Sequence, residues 1–222
     1  MSFVGIHLAE FVYPGYSVSQ NYVSDLGATC SDLATSLPHD CVVVQPASAI
    51  FSLSTDALGL LILAAAYLMY PMGRSKRLSV LLGLTGLGAL GVGLVSEAYS
   101  PYHSAFALTA FLAGGLAALE SFRLLPRPLG YVSVALGTIA LVALGWFALL
   151  ALALRAAAGG AAALSVWAPL GVGGTERMIV YPVLLWVVVF GAALLTLPDP
   201  FRKPVAVATP AAEEPTEAGR AV

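Results

Sequence analysis

Charge is the scarcest commodity in this chain. Of 222 residues only 10% are Asp, Glu, Lys or Arg, while 59% are hydrophobic and the mean hydropathy is +0.89. A soluble domain carries about a quarter charged residues, so a soluble fold would leave too much apolar surface in water. No basic stripe is present, which excludes a nucleic-acid partner. Three histidines in three separate segments do not supply a multi-His zinc centre, and the sequence calls for no cofactor and no metal. The only two cysteines lack the CxxC spacing of a metal site. The first residues, MSFVGIHLAEFVY, lack the basic n-region and small-residue cleavage site of a signal peptide.

What is present is long apolar runs, and they lack the alternation of barrel strands, so the expected class is an all-α, polytopic membrane helix bundle. Five clear spans are expected, over Ala47 to Tyr70, Leu78 to Ser96, His103 to Leu125, Leu129 to Leu154 and Thr175 to Leu197. Each is near the ~20 residues a helix needs to cross the hydrocarbon layer. A sixth, Ser2 to Tyr13, comes first; it is short for a span and carries His7 and Glu10. The reading is six transmembrane helices with a short or clipped first one. The bundle occupies residues 1–197, with an outer loop over 14–46, and a disordered cytoplasmic tail rich in Pro, Ala and Glu follows over 198–222.

Basic residues in short loops stay on the cytoplasmic side. Arg74, Lys76, Arg77, Arg123, Arg127, Arg202 and Lys203 fall on alternate connections and after the last span, against Arg155 and Arg177 on the others. Both termini are therefore expected inside a cell membrane, with Pro14 to Pro46, Glu97 to Tyr102 and Arg155 to Gly174 facing outward. Trp167, in the last of these, is a candidate interfacial anchor.

That orientation collects polar residues at one membrane face. Asn21 and Asp25 lie four apart in YSVSQNYVSDLG, so a short interfacial helix would place both on one side, for a ligand or for capping and turn formation. Glu97 and His103 flank a short hairpin, where the carboxylate could fix an imidazole tautomer, or His103 and Ser104 could simply cap a helix. Glu176 suits a helix start. Arg177 runs against the positive-inside pattern, so a carboxylate is expected beside it, Glu97 or Asp25 first, with a lipid phosphate as the external alternative. Asp56 sits about nine residues into its span, where a carboxylate is expensive and is a functional candidate by default. Cys30 and Cys41 should form a disulfide outside; a metal site from Cys30, His39, Asp40 and Cys41 is opposed by the adjacent Asp40-Cys41 and the absence of metal-ligand spacing. Glu120 and Arg123 read as an interfacial ion pair. Gly83, Gly86, Gly88, Gly91 and Gly93 give one span a small-residue surface for close packing.

Tyr16 to Gly27, Phe51 to Tyr70, Glu97 with His103-Ser104, and Gly174 to Trp186 (GTERMIVYPVLLW) together resemble the membrane family catalogued as domain of unknown function 998, over nearly the whole chain to about Pro198. The resemblance implies a six-helix membrane fold and brings no settled activity. The expected function is a multi-pass protein with a small polar site, for an anion or a lipid head group, at the extracytoplasmic face, formed by Asn21, Asp25, Asp56, Glu97, His103, Glu176 and Arg177. Membrane lipid and a small polar ligand are the expected partners. Two alternatives stand beside it: a membrane-embedded hydrolase or transferase with Glu97 or His103 as general base and Ser100, Ser104 or water as nucleophile, and a structural subunit of a homo-oligomer or membrane complex. A haem held by His7 and His103 would need facing helices.

Overall fold

The computed structural model describes residues 1–30, 38, 40–71, 75–156 and 169–196. Six helices follow one another: α1 (Ser2–Val12), α2 (Ala47–Met69), α3 (Lys76–Leu94), α4 (Tyr102–Ser121), α5 (Arg127–Ala156) and α6 (Gly171–Thr196). The last five are each long and apolar enough to cross a membrane. The expected spans recur with shifts of a few residues at their ends, and the first is short, at 11 residues. By helical rise it covers about 16 Å, half the hydrocarbon layer.

Neighbours in sequence are neighbours in space: α2 packs on α1 and α3, α3 on α4, and α5 on α4 and α6. The ring then closes, because α6 also meets α4 and α1. Along α2 and α6 the described residues make no extended packing contact with each other. α1 wedges between these two helices at one end only.

Close approach explains the glycines of α3. A Cβ on Gly88 would lie 2.5 Å from the Ala110 amide nitrogen of α4, and one on Gly86 would lie 2.9 Å from the Gly59 carbonyl oxygen of α2. Backbone thus sits against backbone on both sides of α3, the packing open to helices when small residues replace side chains. Two apolar cores result. One, at the α1 end, joins Ile6, Ala9, Val23, Leu26, Phe51, Val180 and Leu184. The other, toward the opposite end, joins Leu78, Leu82, Ala117, Leu125, Trp186 and Phe190. Trp186 is fully buried and donates from Nε1 to Ser121 Oγ at 3.0 Å, so its one polar atom is satisfied.

The segment after α1 folds over the bundle as a cap. It contains a 3-10 turn at Ser24–Leu26 and a two-stranded ribbon, β1 (Thr29–Cys30) with β2 (Cys41–Val42), whose register pairs Cys30 with Cys41. These cysteines are joined as a disulfide. The metal alternative loses its thiolates, and its His39 lies outside the described residues. So do Arg74, Trp167, Arg202, Lys203 and the tail over 198–222. At the opposite end, Arg123 and Glu120 form the expected ion pair at 3.5 Å, with the Arg side chain 69% exposed.

Candidate functional site

Arg177 organises the capped end. Its side chain is 5% exposed, one turn and a half into α6, and every N–H of the guanidinium has an acceptor within the protein. Nε and Nη2 donate to Glu10 Oε1 at 3.2 and 2.6 Å. Nη2 also reaches the Tyr16 hydroxyl at 2.6 Å. Nη1 donates to the carbonyls of Val18, Asn21 and Gly173 at 2.8, 3.1 and 3.0 Å. Arg177 therefore buckles α1, the cap and α6 together. Its carboxylate partner is Glu10, not Glu97 or Asp25, because α1 packs against α6 and brings Glu10 alongside. No guanidinium donor is left over for a lipid phosphate, so the anion-binding expectation loses its cation.

The cap is stitched by its own polar residues. Asn21 Oδ1 accepts from the Ser17 amide at 3.0 Å, and Asn21 Nδ2 donates to Asp25 Oδ2 at 3.0 Å. Asp25 Oδ2 also accepts from the Tyr22 amide at 2.9 Å. The two expected site residues are together as foreseen, through turns and a 3-10 helix in place of an α-helix. Both hold the cap's backbone, each accepting from an amide three or four residues upstream. The Gly173 amide donates to Ser19 carbonyl oxygen at 3.0 Å, and the Ser48 hydroxyl to Gly27 carbonyl oxygen at 2.7 Å, tying the cap to α6 and α2.

Three carboxylates gather beneath this cap. Glu176, 7% exposed, accepts from the Val23 amide. Glu97, on the 3-10 turn Glu97–Tyr99 between α3 and α4, bonds Ser24 and has its Oε2 buried without a partner. Asp25 is close enough to raise the proton affinity of Glu97. Burial, reinforced by Asp25, pushes Glu97 up to about 7. Burial also raises Asp25, against the hydrogen bonds from Asn21 and the Tyr22 amide, and it raises the Tyr22 and Tyr16 hydroxyls. Fewer charges than the formula suggests thus reside here at neutral pH.

His103 is 4% exposed, and its Nδ1 meets the Val95 carbonyl oxygen at 2.6 Å. A carbonyl only accepts, so Nδ1 carries the hydrogen and Nε2 is the ring's remaining polar atom. The tautomer is set by that carbonyl, not by Glu97 as expected. Ser100 and Ser104 bond to each other at 3.2 Å on the exposed side of the hairpin. His7 lies on the exposed face of α1 against Phe3 and Tyr181, while His103 faces inward, so the two do not frame a haem. Asp56 is apart from the cluster, facing Gly93 of α3, with Oδ1 buried and unpartnered. Among the described residues no group of three or more His, Cys, Asp or Glu side chains could hold a metal ion.

Below the cap a narrow cavity of about 80 Å³ opens, with Glu176, His103 and Ser24 at its capped end and an almost wholly apolar wall beyond. Its lining runs from His103 at the start of α4 down to Ile62 and, on α2, from Phe51 to Ile62, a length of about 16 Å by helical rise. Thr55 and Thr85 interrupt the apolar wall, and Thr55 Oγ1 is buried with no hydrogen-bond partner. A second recess of about 270 Å³ shares Leu58, Ile62, Leu184 and Val187 with the first and continues past the end of α1 to Trp186, Phe190 and Leu194. The two form one lane in the seam where α2 and α6 stand apart.

Glu10 was the residue that sequence reasoning missed as a site member. Its only signal was an acid in an apolar segment, matched by Arg177, one of two basic residues out of place, toward the far end of the chain. No curated protein and no solved structure matches this chain. A family model described as "Protein of unknown function (DUF998)" matches residues 1–193, and the chain, a multi-pass membrane protein by its five spanning-length helices, belongs to that family.

Proposed function

We propose that this protein resides in the cell membrane and holds an amphiphilic, lipid-like ligand at its capped end, which faces away from the cytoplasm. The observation that carries the reading is the lane itself: apolar along about 16 Å by helical rise, polar at the cap, and continuous with a recess in the α2–α6 seam. An acyl or isoprenoid chain fits such a lane, and the head group would meet Glu176, His103 and Ser24. Lipid can reach the seam laterally, because α1 covers only its capped half. The orientation rests on the seven basic residues on alternate connections and after the last span, against two on the others. The hydrolase reading has less support, since Ser100 and Ser104 are not among the residues lining the lane.

The test uses a dibrominated stearyl alcohol, whose bromines quench tryptophan on contact. With Trp146→Phe and Trp167→Phe, Trp186 at the far part of the lane is the remaining tryptophan. Addition of the probe to protein in phosphatidylcholine nanodiscs should quench Trp186 saturably. Leu58→Phe with Val187→Phe, which narrows the junction of the two recesses, should abolish the saturable part. Linear quenching, unchanged by the plug, would mean that the chain never enters.

A further inference from the structure

We infer that the head group received at the capped end is an amine, a hydrogen-bond-donating cation, and not a phosphate or a carboxylate. This rests on the amphiphile reading above and specifies its ligand. The first support is the inventory of what faces the lane. Among the described residues no Lys or Arg lines it; what it offers is the Glu176 carboxylate, the His103 ring and the hydroxyls of Ser2, Ser24, Thr55 and Thr85. Such a set accepts hydrogen bonds well and has no cation with which to meet an anion.

The second support is charge. The one guanidinium near the cap among the described residues is claimed by Glu10 and by four other acceptors. Asp25, Glu97 and Glu176 remain, three acids of which two share the field of this one guanidinium, already held by Glu10. A buried set of acids that outnumbers its one cation is costly, and an ammonium head would supply further positive charge. A phosphate would add to the repulsion instead.

The third support is independent of the acids. Thr55 is 8% exposed, lines the lane and leaves Oγ1 unsatisfied. A buried hydroxyl normally finds a partner, so an unmet one in a cavity marks where a ligand atom is due. Thr55 is eight residues below the start of α2, about 12 Å by rise, so a polar atom at or just below the head group is within the reach of the site.

The experiment compares three ligands with one chain: oleylamine, oleyl alcohol and oleic acid, each displacing the brominated probe from Trp186 at pH 7.5 in phosphatidylcholine nanodiscs. Oleylamine should displace it at concentrations about tenfold lower than oleyl alcohol, and oleic acid should be the weakest. Glu176→Gln should bring the three together, a convergence that differences in bilayer partitioning, which the variant does not alter, would not produce. If that variant does not fold, Thr55→Val, which removes only the unpaired hydroxyl, should weaken oleylamine by a few-fold. Oleic acid equal to or better than oleylamine overturns the head-group assignment and leaves the chain-binding reading intact. Failure of the probe to enter the unaltered lane overturns both.

Discussion

At the scale of single residues, the buried Arg177–Glu10 pair decides the behaviour of the cap. Both side chains are nearly excluded from solvent, at 5% and 11% exposure. Removing one partner of such a pair strands the other, a loss of about 3 to 5 kcal/mol, whereas an exposed pair is worth at most about 1. Arg177→Ala and Glu10→Gln should each lose stability in detergent on the larger scale, and the double variant should lose much less than the sum. Strict additivity would refute the pairing. Glu97 makes a separate prediction. A carboxyl whose folded-state pKa is raised, here from 4.5 to about 7, holds its proton more tightly folded than unfolded. Its stabilising contribution is fully present below pH 4.5 and is lost as pH rises to about 7. Denaturant midpoints should therefore decline across that window, and Glu97→Gln should flatten the decline; an unchanged slope in the variant would assign it to other groups.

Elements were legible in the sequence to different degrees, for physical reasons. The spans α2 to α6 announce themselves because crossing a bilayer demands some 20 apolar residues, a signal no loop imitates. The Gly pattern of α3 was readable in the same way, since only small residues let helix backbones approach. Gly88→Leu should overpack the α3–α4 contact and lower stability by roughly 1 to 3 kcal/mol or more, and a variant as stable as the parent would refute that contact. The ribbon was readable from its cysteines alone. Alkylation without reductant should add no mass, and Cys30→Ser with Cys41→Ser should destabilise by up to about 3 kcal/mol on the loop-entropy model; two added labels would mean an open loop. The candidate site was only partly legible. Asn21, Asp25, Glu97, His103, Glu176 and Arg177 do assemble at one end, because alternation of the spans puts their loops there. Which acid meets which base was not legible, because it depends on α1 lying beside α6, a tertiary fact with no local sequence signal.

At the scale of the whole molecule, orientation remains a matter of charge distribution. Reporter fusions after Lys203 and within residues 156–173 should give opposite signals, the first cytoplasmic, because the positive-inside bias is seven against two. Equal signals would overturn the orientation and with it the placing of the lane's polar end away from the cytoplasm.

The Arg177–Glu10 contact joins positions 167 residues apart. Membrane helices enter the bilayer in order of synthesis, so during translation the first helix and the folded-over segment behind it rest on α2 and lack their α6 partners until the final helix emerges. The clasp is therefore among the last long-range bonds the nascent chain can make, and the cap is a late-setting structure however early it is made. A ribosome-stalled chain ending before Gly171 should leave residues 13–28 open to protease, and a chain released past Thr196 should protect them. Protection of the shorter chain would show that the cap seats itself without the clasp.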